Sequence, residues 1–403
     1  MMAKSKIYIA LAGLLASLAL LAACSQGISQ NEADAMVAEA VAEAAAGMMT
    51  KEAADAMVAE ATAGMMTEAD AMNMADDMMM EGSRVEAIKE RGRVVCAGNN
   101  SLAGFGFTDD SGNVVGFDID LCRAVAVAVL GDANAVEIRP TTAAERGPSM
   151  QSGEVDIMSR NTTWTSSRDA TWGNFAQTMF YDGQGFMVPK DLGVSSAMEL
   201  EGAKVCVQQG TTTELNLEDF NQQNNLNLDV VTFPDNVSTN AAYTSGQCDA
   251  LTTDRSGLVA TKVGFDNPGD HTILPGTISE EPLGPVVPHG DEQWYDIVKT
   301  VMAILIYAEA FDITSDNVPS SMMGNKSVDR LLGLEGGYGQ DEMGLSQTVA
   351  QDVIKAVGNY GEIYDRHLTP LGLEREGSRN ALWVSAPCMS CPKGGQVYAA
   401  PLR

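Results

Sequence analysis

The sequence predicts an α/β protein with two lobes, each built on a mostly parallel sheet, preceded by a low-complexity segment. The chain has 403 residues, more than the roughly 250–300 at which a single hydrophobic core stops growing. Predicted strands and helices alternate along it, which is typical of parallel sheets covered by helices. This alternation restarts after Val188, where a second series of strands and helices begins. Two lobes are therefore expected.

Residues 1–24 have the pattern of a secretory signal. Lys4 and Lys6 precede an apolar run at 7–20, and small residues follow before Cys24. This run is too short and wrongly flanked for a lasting membrane span. The sequence Leu-Ala-Ala-Cys resembles the lipobox of bacterial lipoproteins, which implies that Cys24 becomes the lipid-bearing first residue. The alternative is an ordinary cleaved signal with an incidental cysteine.

Residues 25–83 differ in composition from the rest of the chain. They are rich in Ala, Met and acidic residues, and ADAMVAEA occurs at both 33–40 and 54–61. Ala, Met and Glu favour helix, but no sustained Leu/Ile seam predicts a coiled coil. We interpret the segment as a low-complexity tether. It would reach ~90 Å as a helix or ~45 Å as a flexible coil.

The chain is strongly acidic, with Lys+Arg 25, Asp+Glu 54 and a net charge of -29. Such a charge argues against nucleic acid and anionic lipid surfaces as partners. It is compatible with a soluble protein in an exposed compartment.

Residues 84–188 are expected to form the first lobe. An apolar segment at 93–98 predicts a strand, and 116–130 predicts a helix with Asp118 as its N-cap. Two further strands are expected at 135–139 and 154–158.

Residues 189–280 are expected to form the second lobe, and 281–403 a return to the first lobe plus a C-terminal extension. The segment 209–214 predicts a tight turn into a helix. Apolar residues at helical spacing in 293–310 predict a core helix. Three strands are expected in the second lobe, at 203–208, 229–233 and 248–253.

Six cysteines follow Cys24, which allows fifteen pairings on sequence alone. Cys96 and Cys122 occupy a predicted strand and the helix after it, so they could meet on one face of the first lobe, and Cys206 and Cys248 occupy comparable places in the second. The remaining two form Cys388-Met-Ser-Cys391. One such pair supplies two of the four ligands of a structural zinc site, and no thioredoxin-like context precedes it. We favour a local disulfide over a redox or zinc role.

A cluster of polar residues follows the buried strand that ends at Met158. Asn161, Thr162 and Thr163 supply donors and acceptors, and Arg168 supplies a planar guanidinium that matches two carboxylate oxygens. The cluster suits a carboxylate ligand. A solvated loop with one arginine is the alternative.

Four segments in order, VDIMSRNTTWTSSRD, FYDGQGFMV, VCVQQGTTTELN and QCDALTTDRSGL, resemble the periplasmic general L-amino-acid-binding proteins of ABC importers, which have the type II periplasmic-binding-protein fold of solute-binding family 3. The resemblance covers roughly residues 85–403. It implies two α/β lobes joined by two crossover strands, with one lobe inserted into the other. It also supports the pairs Cys96–Cys122 and Cys206–Cys248. No metal or cofactor is implied.

The same resemblance implies a ligand set for an amino-acid zwitterion. Arg168, Thr163 and Thr212 match carboxylate ligands, Asp254 matches the ammonium acceptor, and Asn161 matches a residue that helps to hold the ammonium. Thr212 could instead be only a helix cap, and Asp254 could cap the next helix or pair with Arg255.

The first loop departs from related binders. Residues 99–104 are small and polar where many carry an aromatic side chain, which leaves Phe105, Phe107 or Trp164 as candidate walls of the ligand site. A broad range of polar amino acids is therefore plausible.

The resemblance implies an extracytoplasmic protein that captures amino acids and delivers them to the transmembrane subunits of an ABC permease. The lipobox-like sequence implies that the protein is anchored to the membrane by its N-terminal lipid, and we expect a monomer. The lobes are expected to swing about crossings near 188–190 and 275–284. The alternatives are an enzyme on the same fold, such as a dehydratase acting on a small carboxylate, and an extracytoplasmic sensor. No catalytic residue is assigned, since His271, His289 and His367 lie outside the site segments.

Overall fold

A computed structural model describes residues 83–403. The expected signal peptide, Cys24 and nearly all of the expected tether lie outside the described residues. Among the residues described, no helix combines the length and apolar character needed to cross a membrane.

The described residues form fifteen strands and eleven α-helices. The strands are β1 Val94–Gly98, β2 Ser101–Leu102, β3 Gly106–Thr108, β4 Val114–Val115, β5 Val136–Pro140, β6 Ile157–Met158, β7 Asn174–Phe175, β8 Phe180–Asp182, β9 Gln184–Pro189, β10 Lys204–Gln208, β11 Asp229–Phe233, β12 Ala250–Asp254, β13 His271–Ile273, β14 Glu281–Leu283 and β15 Val286–Val287. The helices are α1 Arg84–Arg91, α2 Phe117–Leu130, α3 Arg146–Gln151, α4 Ser166–Thr171, α5 Thr212–Asn224, α6 Asn236–Thr244, α7 Arg255–Val263, α8 Glu292–Ala310, α9 Lys326–Leu331, α10 Val349–Val357 and α11 Tyr360–His367.

Each lobe is built on a five-stranded sheet. The first sheet has the order β5-β1-β6-β15-β7, with β1 parallel to both of its neighbours and the returning strand β15 antiparallel to β6 and β7. The second has the order β11-β10-β12-β9-β13, with β10 parallel to both neighbours and β9 antiparallel to β12 and β13. The carboxyl ends of the parallel strands therefore carry the loops that face the cleft between the lobes.

The two connections between the lobes form a short antiparallel pair, β8 with β14. The first connection lies earlier than the boundary expected at 188, because β9 already belongs to the second sheet. The apolar run of β9 is buried along nearly its whole length. Pro189 is therefore the last residue of β9 and does not mark the boundary between the lobes. Residues 188–190, where a hinge was expected, therefore lie in the second lobe, and the chain first crosses between the lobes at 180–183.

The C-terminal helices extend the core of the first lobe. Helix α8 buries most of its length, including Trp294, and α10 and α11 pack with it against α2. An aromatic cluster made of Phe105, Phe117, Phe180, Tyr360 and Tyr364 fills the space between them, with ring centroids 5.3–6.4 Å apart. Phe105 is therefore a core residue.

Asp118 does not cap its own helix. The N-cap of α2 is Gly116. Its φ of 146° is a backbone conformation that glycine adopts and other residues rarely do. A Cβ at this position would lie 2.2 Å from the carbonyl oxygen of Phe105. The carboxylate of Asp118 instead accepts hydrogen bonds from Ser159 and Asn161 in the turn after β6.

Three disulfides are present in the described residues: Cys96–Cys122, Cys206–Cys248 and Cys388–Cys391. The first joins β1 to α2 in the first lobe, and the second joins β10 to the segment before β12 in the second lobe. The third closes a short loop in the C-terminal extension, as we expected for the CxxC sequence.

Candidate functional site

A small cavity lies where the two lobes meet. Its volume is about 40 Å³, and we call it the inner cavity. Side chains from both lobes line it, among them Arg146, Arg160, Asn161 and Thr163 from the first lobe and Thr212 and Asp254 from the second. The cavity therefore contains four of the five residues predicted to bind the ligand.

The lobes touch each other across this cavity. The hydroxyl oxygens of Thr163 and Thr212 are 3.2 Å apart, so the cleft is closed. Thr212 is the first residue of α5, and its hydroxyl donates to the Glu281 carboxylate at 2.9 Å. The cap of α5 is Thr211, whose side chain accepts from the Glu214 N–H. Thr212 is therefore not the N-cap of α5, which was the alternative that the sequence left open.

Arg168 lies behind the cavity wall and is absent from its lining. It is buried, donates from Nη1 to the Thr163 carbonyl at 3.1 Å, and stacks over Trp172 with its guanidinium carbon 4.7 Å from the ring centre. Burial lowers the pKa of Arg168 to about 10, although Glu281 and Asp254 oppose this shift. Arg168 therefore fixes the backbone at Thr163 and places positive charge behind it.

Asp254 ends β12 at the floor of the cleft. It is buried, one of its carboxylate oxygens has no hydrogen-bond partner, and its side chain does not cap α7. Arg255 points elsewhere and donates to the carbonyls of Leu274 and Gly276. Burial, and then the charges of Asp182 and Glu281, raise the pKa of Asp254 well above its ordinary value. A cation bound beside it would favour the ionised form.

Asn161 completes the predicted set. Its backbone has a φ of 35°, in the left-handed region that residues other than glycine rarely occupy. Its side-chain oxygen is buried without a partner. Asn161 and Asp254 thus each present one unpaired acceptor in the lining of the same cavity.

Arg146 and Arg160 also line the cavity. Neither was predicted from the sequence as a ligand-binding residue. Both are buried, and neither has a carboxylate oxygen within 4.0 Å. Arg146 donates to the Ala143 carbonyl and, across the cleft, to the Gly210 carbonyl at 3.3 Å. An unpaired guanidinium in a closed site is costly unless an anion joins it. Arg146 is the first residue of the short helix α3 and lies in no recognisable motif, so only its burial in the folded chain reveals it.

The aromatic residues predicted as walls do not serve that purpose. Phe105 belongs to the core, and Trp164 stacks on Phe175 with ring centroids 5.5 Å apart. Phe105, Phe107 and Trp164 are all absent from the lining of the inner cavity. The aliphatic side chain of Leu102 lies there instead.

A larger groove adjoins the inner cavity. Its volume is about 900 Å³, and we call it the outer groove. Leu102, Asn240 and Thr261 line both spaces, so the two are neighbours. The outer groove lies along α6 and α7 and is largely exposed to solvent.

The sequence matches the model of the bacterial extracellular solute-binding proteins, family 3, over residues 94–315. It is 49% identical over 323 residues to the general L-amino acid-binding periplasmic protein of Rhizobium johnstonii, which covers 78% of this chain and 92% of the relative. It is 44% identical over 327 residues to the glutamate/glutamine/aspartate/asparagine-binding protein of Rhodobacter capsulatus, covering 80% of this chain and 94% of that protein.

A solved structure has the same architecture. The ABC transporter periplasmic binding protein from Brucella ovis, with glutathione bound, superposes with a TM-score of 0.74 at 41% identity and covers 80% of this chain and 100% of its own. The two lobes, the paired crossover strands and these matches agree. The chain belongs to the bacterial extracellular solute-binding proteins of family 3.

Proposed function

We propose that the inner cavity binds the α-amino and α-carboxylate groups of an L-amino acid, which this extracytoplasmic protein delivers to the permease of an ABC importer. The observation that carries the proposal is the pair of unpartnered acceptors, Asn161 Oδ1 and Asp254 Oδ1, which line the same cavity as the hydroxyls of Thr163 and Thr212. Buried acceptors without partners are costly. An ammonium group supplies three donors and would satisfy both.

The carboxylate would then lie against Thr163 and Thr212, with Arg168 behind them, once the Thr212 hydroxyl turns its proton from Glu281 to the ligand. Arg168 already donates to the Thr163 carbonyl, so it places the hydroxyl and adds positive charge at the same point. The closed cavity of about 40 Å³ is small for an amino acid. The cleft must therefore open by some ångströms at Thr163 and Thr212 to hold one.

The two further arginines favour ligands with a second acidic or amide group. An α-carboxylate requires one guanidinium, whereas Arg146 and Arg160 also face the cavity without a carboxylate partner. A side-chain carboxylate or amide oxygen would satisfy Arg146. We infer that L-glutamate, L-aspartate and their amides lead the range of ligands, in keeping with the name of the Rhodobacter capsulatus relative.

A thermal-shift screen of the amino acids followed by calorimetric titration tests this range. A ligand at 100 times its Kd adds about 2.7 kcal/mol to the free energy of unfolding. Arg146→Met should weaken binding of L-glutamate at least tenfold and that of L-glutamine less, because the amide carries no charge. Arg139→Met is a matched control, since Arg139 is a partly exposed arginine that pairs with Glu137 away from the cavity. Equal losses for all amino acids would exclude Arg146 as the side-chain ligand.

The outer groove favours a second candidate ligand, a γ-glutamyl peptide such as glutathione. Such a peptide carries a free amino-acid end that would occupy the inner cavity, and the remainder would extend past Asn240 and Thr261 into the groove. The Brucella ovis protein was solved with glutathione. Ala241 lines only the outer groove. Ala241→Trp should therefore abolish glutathione binding and leave L-glutamate binding unchanged.

The proposal includes no chemistry on the ligand. The relatives are named as binding proteins, and the dehydratase alternative would convert the ligand. Recovery of L-glutamate unchanged after long incubation with the protein supports binding alone. Recovery of an altered product would favour the enzyme.

We also propose that the mature chain is a monomer anchored to the membrane by a lipid on Cys24. The lipobox-like sequence at 21–24 supports the lipid anchor. Metabolic labelling with a radioactive fatty acid should mark the parent protein and not Cys24→Ser. The variant should be released into the soluble extracytoplasmic fraction.

A further inference from the structure

Asn161 adopts a backbone conformation that requires support from its surroundings. Its φ of 35° lies in the left-handed region, which costs free energy for a residue with a Cβ and persists only where neighbouring contacts hold it. Such residues are concentrated at functional sites. Asn161 also lines the inner cavity and carries an unpartnered buried oxygen.

The supporting contact comes from Asp118. Its Oδ2 accepts the backbone N–H of Asn161 at 2.6 Å, and its Oδ1 accepts the Ser159 hydroxyl at 3.2 Å. Asp118 is only 6% exposed, so both bonds are shielded from water. Hydrogen bonds to an ionised carboxylate are about twice as strong as neutral ones. The carboxylate therefore clamps the turn from Ser159 to Asn161.

The clamp is fixed to the scaffold on both sides. Asp118 lies in the first turn of α2, and the Cys96–Cys122 disulfide ties this helix to β1. Strand β1 pairs with β6, which leads directly into the clamped turn. The charged side chain that acts on Asp118 is Arg160, from the same turn. The Asp118 carboxylate and Asn161 therefore share one rigid frame.

We propose that Asp118 is a positioning residue for recognition of the ligand's ammonium group, because its carboxylate holds Asn161 with Oδ1 in the cavity wall. This inference rests on the proposed function. Asp118 itself touches no ligand, since it lies outside the lining of the inner cavity. Its effect should therefore be confined to ligands that carry an ammonium group.

The test compares L-glutamate with glutarate, which has both carboxylates and lacks the ammonium. Asp118→Asn keeps the size of the side chain and removes its charge. The Kd of L-glutamate should rise roughly ten- to thirtyfold, and that of glutarate should change less than threefold. In the Asn161→Gly background, Asp118→Asn should have little further effect, because the two residues act through one contact.

Asp120→Asn is the matched control. Asp120 is a buried aspartate on the same helix, but it binds Arg123, Arg366 and His367 and faces away from the site. This variant should lower the melting temperature and leave the ratio of the two Kd values unchanged. An equal loss for both probes in Asp118→Asn would overturn the proposal and leave Asp118 a structural residue.

A second measurement requires no Asp118 variant. Burial raises the pKa of Asp118 to about 6, so acid protonates the clamp. The affinity for L-glutamate should fall more steeply between pH 7 and pH 5 in the parent protein than in Asn161→Gly. Identical slopes would overturn the proposal, even if Asp118→Asn fails to fold. If the parent protein does not bind L-glutamate at all, the proposed function fails first, and this is seen before any variant is made.

Discussion

Asp182 and Glu281 lie directly opposite each other on β8 and β14, the two strands that connect the lobes. Both are buried. Asp182 is held by Ser256 at the start of α7, and Glu281 by Thr212 and Asn216 on α5. Each carboxylate thus ties a connecting strand to a helix of the second lobe. Like charges at directly opposite positions in a β pair are destabilising, so the pairing of the two connecting strands carries an electrostatic cost.

The burial of Asp182 predicts a pH dependence of stability. Burial is the main reason that the pKa of Asp182 is raised to about 6 from its ordinary 3.8. The folded state therefore binds this proton more tightly than the unfolded state, and stability from this group is gained as pH falls through 6 towards 4. Between pH 7 and pH 5 the parent should gain about 1 kcal/mol relative to Asp182→Asn.

Urea unfolding of the two proteins at both pH values measures this difference. Asp296→Asn, at an exposed position on α8, is the control for a general effect of removing a negative charge. If the parent and Asp182→Asn have parallel stability curves between pH 5 and pH 7, Asp182 does not titrate in this window.

The disulfides predict a ranking of stabilities. The Cys206–Cys248 bridge closes a separation of 42 residues and Cys388–Cys391 one of 3. On the chain-entropy view, their removal costs about 4 and about 1.6 kcal/mol respectively. Chemical unfolding of the variants Cys206→Ala/Cys248→Ala and Cys388→Ala/Cys391→Ala gives the comparison. A larger loss from the second variant would show that the C-terminal loop supports the core beyond its chain entropy.

Asp254 predicts proton release on binding. Its pKa is raised well above the ordinary value in the empty site, chiefly by burial, and an ammonium beside it would lower that pKa. L-Glutamate should therefore displace part of a proton at any pH where Asp254 is partly protonated before binding. Titrations in buffers of different ionisation enthalpy measure this release. It should be smaller in Asp254→Asn, which should also lose affinity for amino acids more than for glutarate. Release of the same size in both proteins would place the proton elsewhere.

The strand order could be predicted only in part. Apolar runs located β1, β5, β10, β11 and β12 within a few residues, because each run is followed by a helix or turn signal. The sheet to which β9 belongs could not be predicted, since periodicity identifies a strand but not its partner. β9 pairs with β12 and β13, residues that come about 60–90 positions later, and only this long-range pairing moves the lobe boundary.

The binding site, like the strand order, could be predicted from the sequence only in part. Asn161, Thr163, Thr212 and Asp254 lie in motifs whose order carried the prediction, and the fold brings all four to one cavity. Arg146 lies in no such motif. Its contact with Gly210 exists only because the lobes close, and closure is a property of the tertiary structure. Asp118 is a residue type that often caps helices, but its carboxylate instead holds the turn from Ser159 to Asn161. Only the packing of α2 against that turn distinguishes the two roles.

Arg168, which the sequence assigned to the ligand carboxylate, lies behind Thr163 in the structure. Loss of one partner of a buried charge arrangement typically costs ~3–5 kcal/mol. Arg168→Ala should therefore weaken binding of every amino acid by roughly two to three and a half decades, at ~1.4 kcal/mol per decade. Arg168→Lys should recover only part of the lost affinity, because an ammonium can neither donate as a planar fork nor stack on Trp172 as a guanidinium does. The contrast with Arg146→Met is decisive, since that variant should affect acidic ligands most. Calorimetric titration of L-glutamate and L-glutamine with the three variants makes the comparison. If Arg168→Ala binds both within a factor of three of the parent, the α-carboxylate does not lie at Thr163, and Arg146 and Arg160 become its ligands.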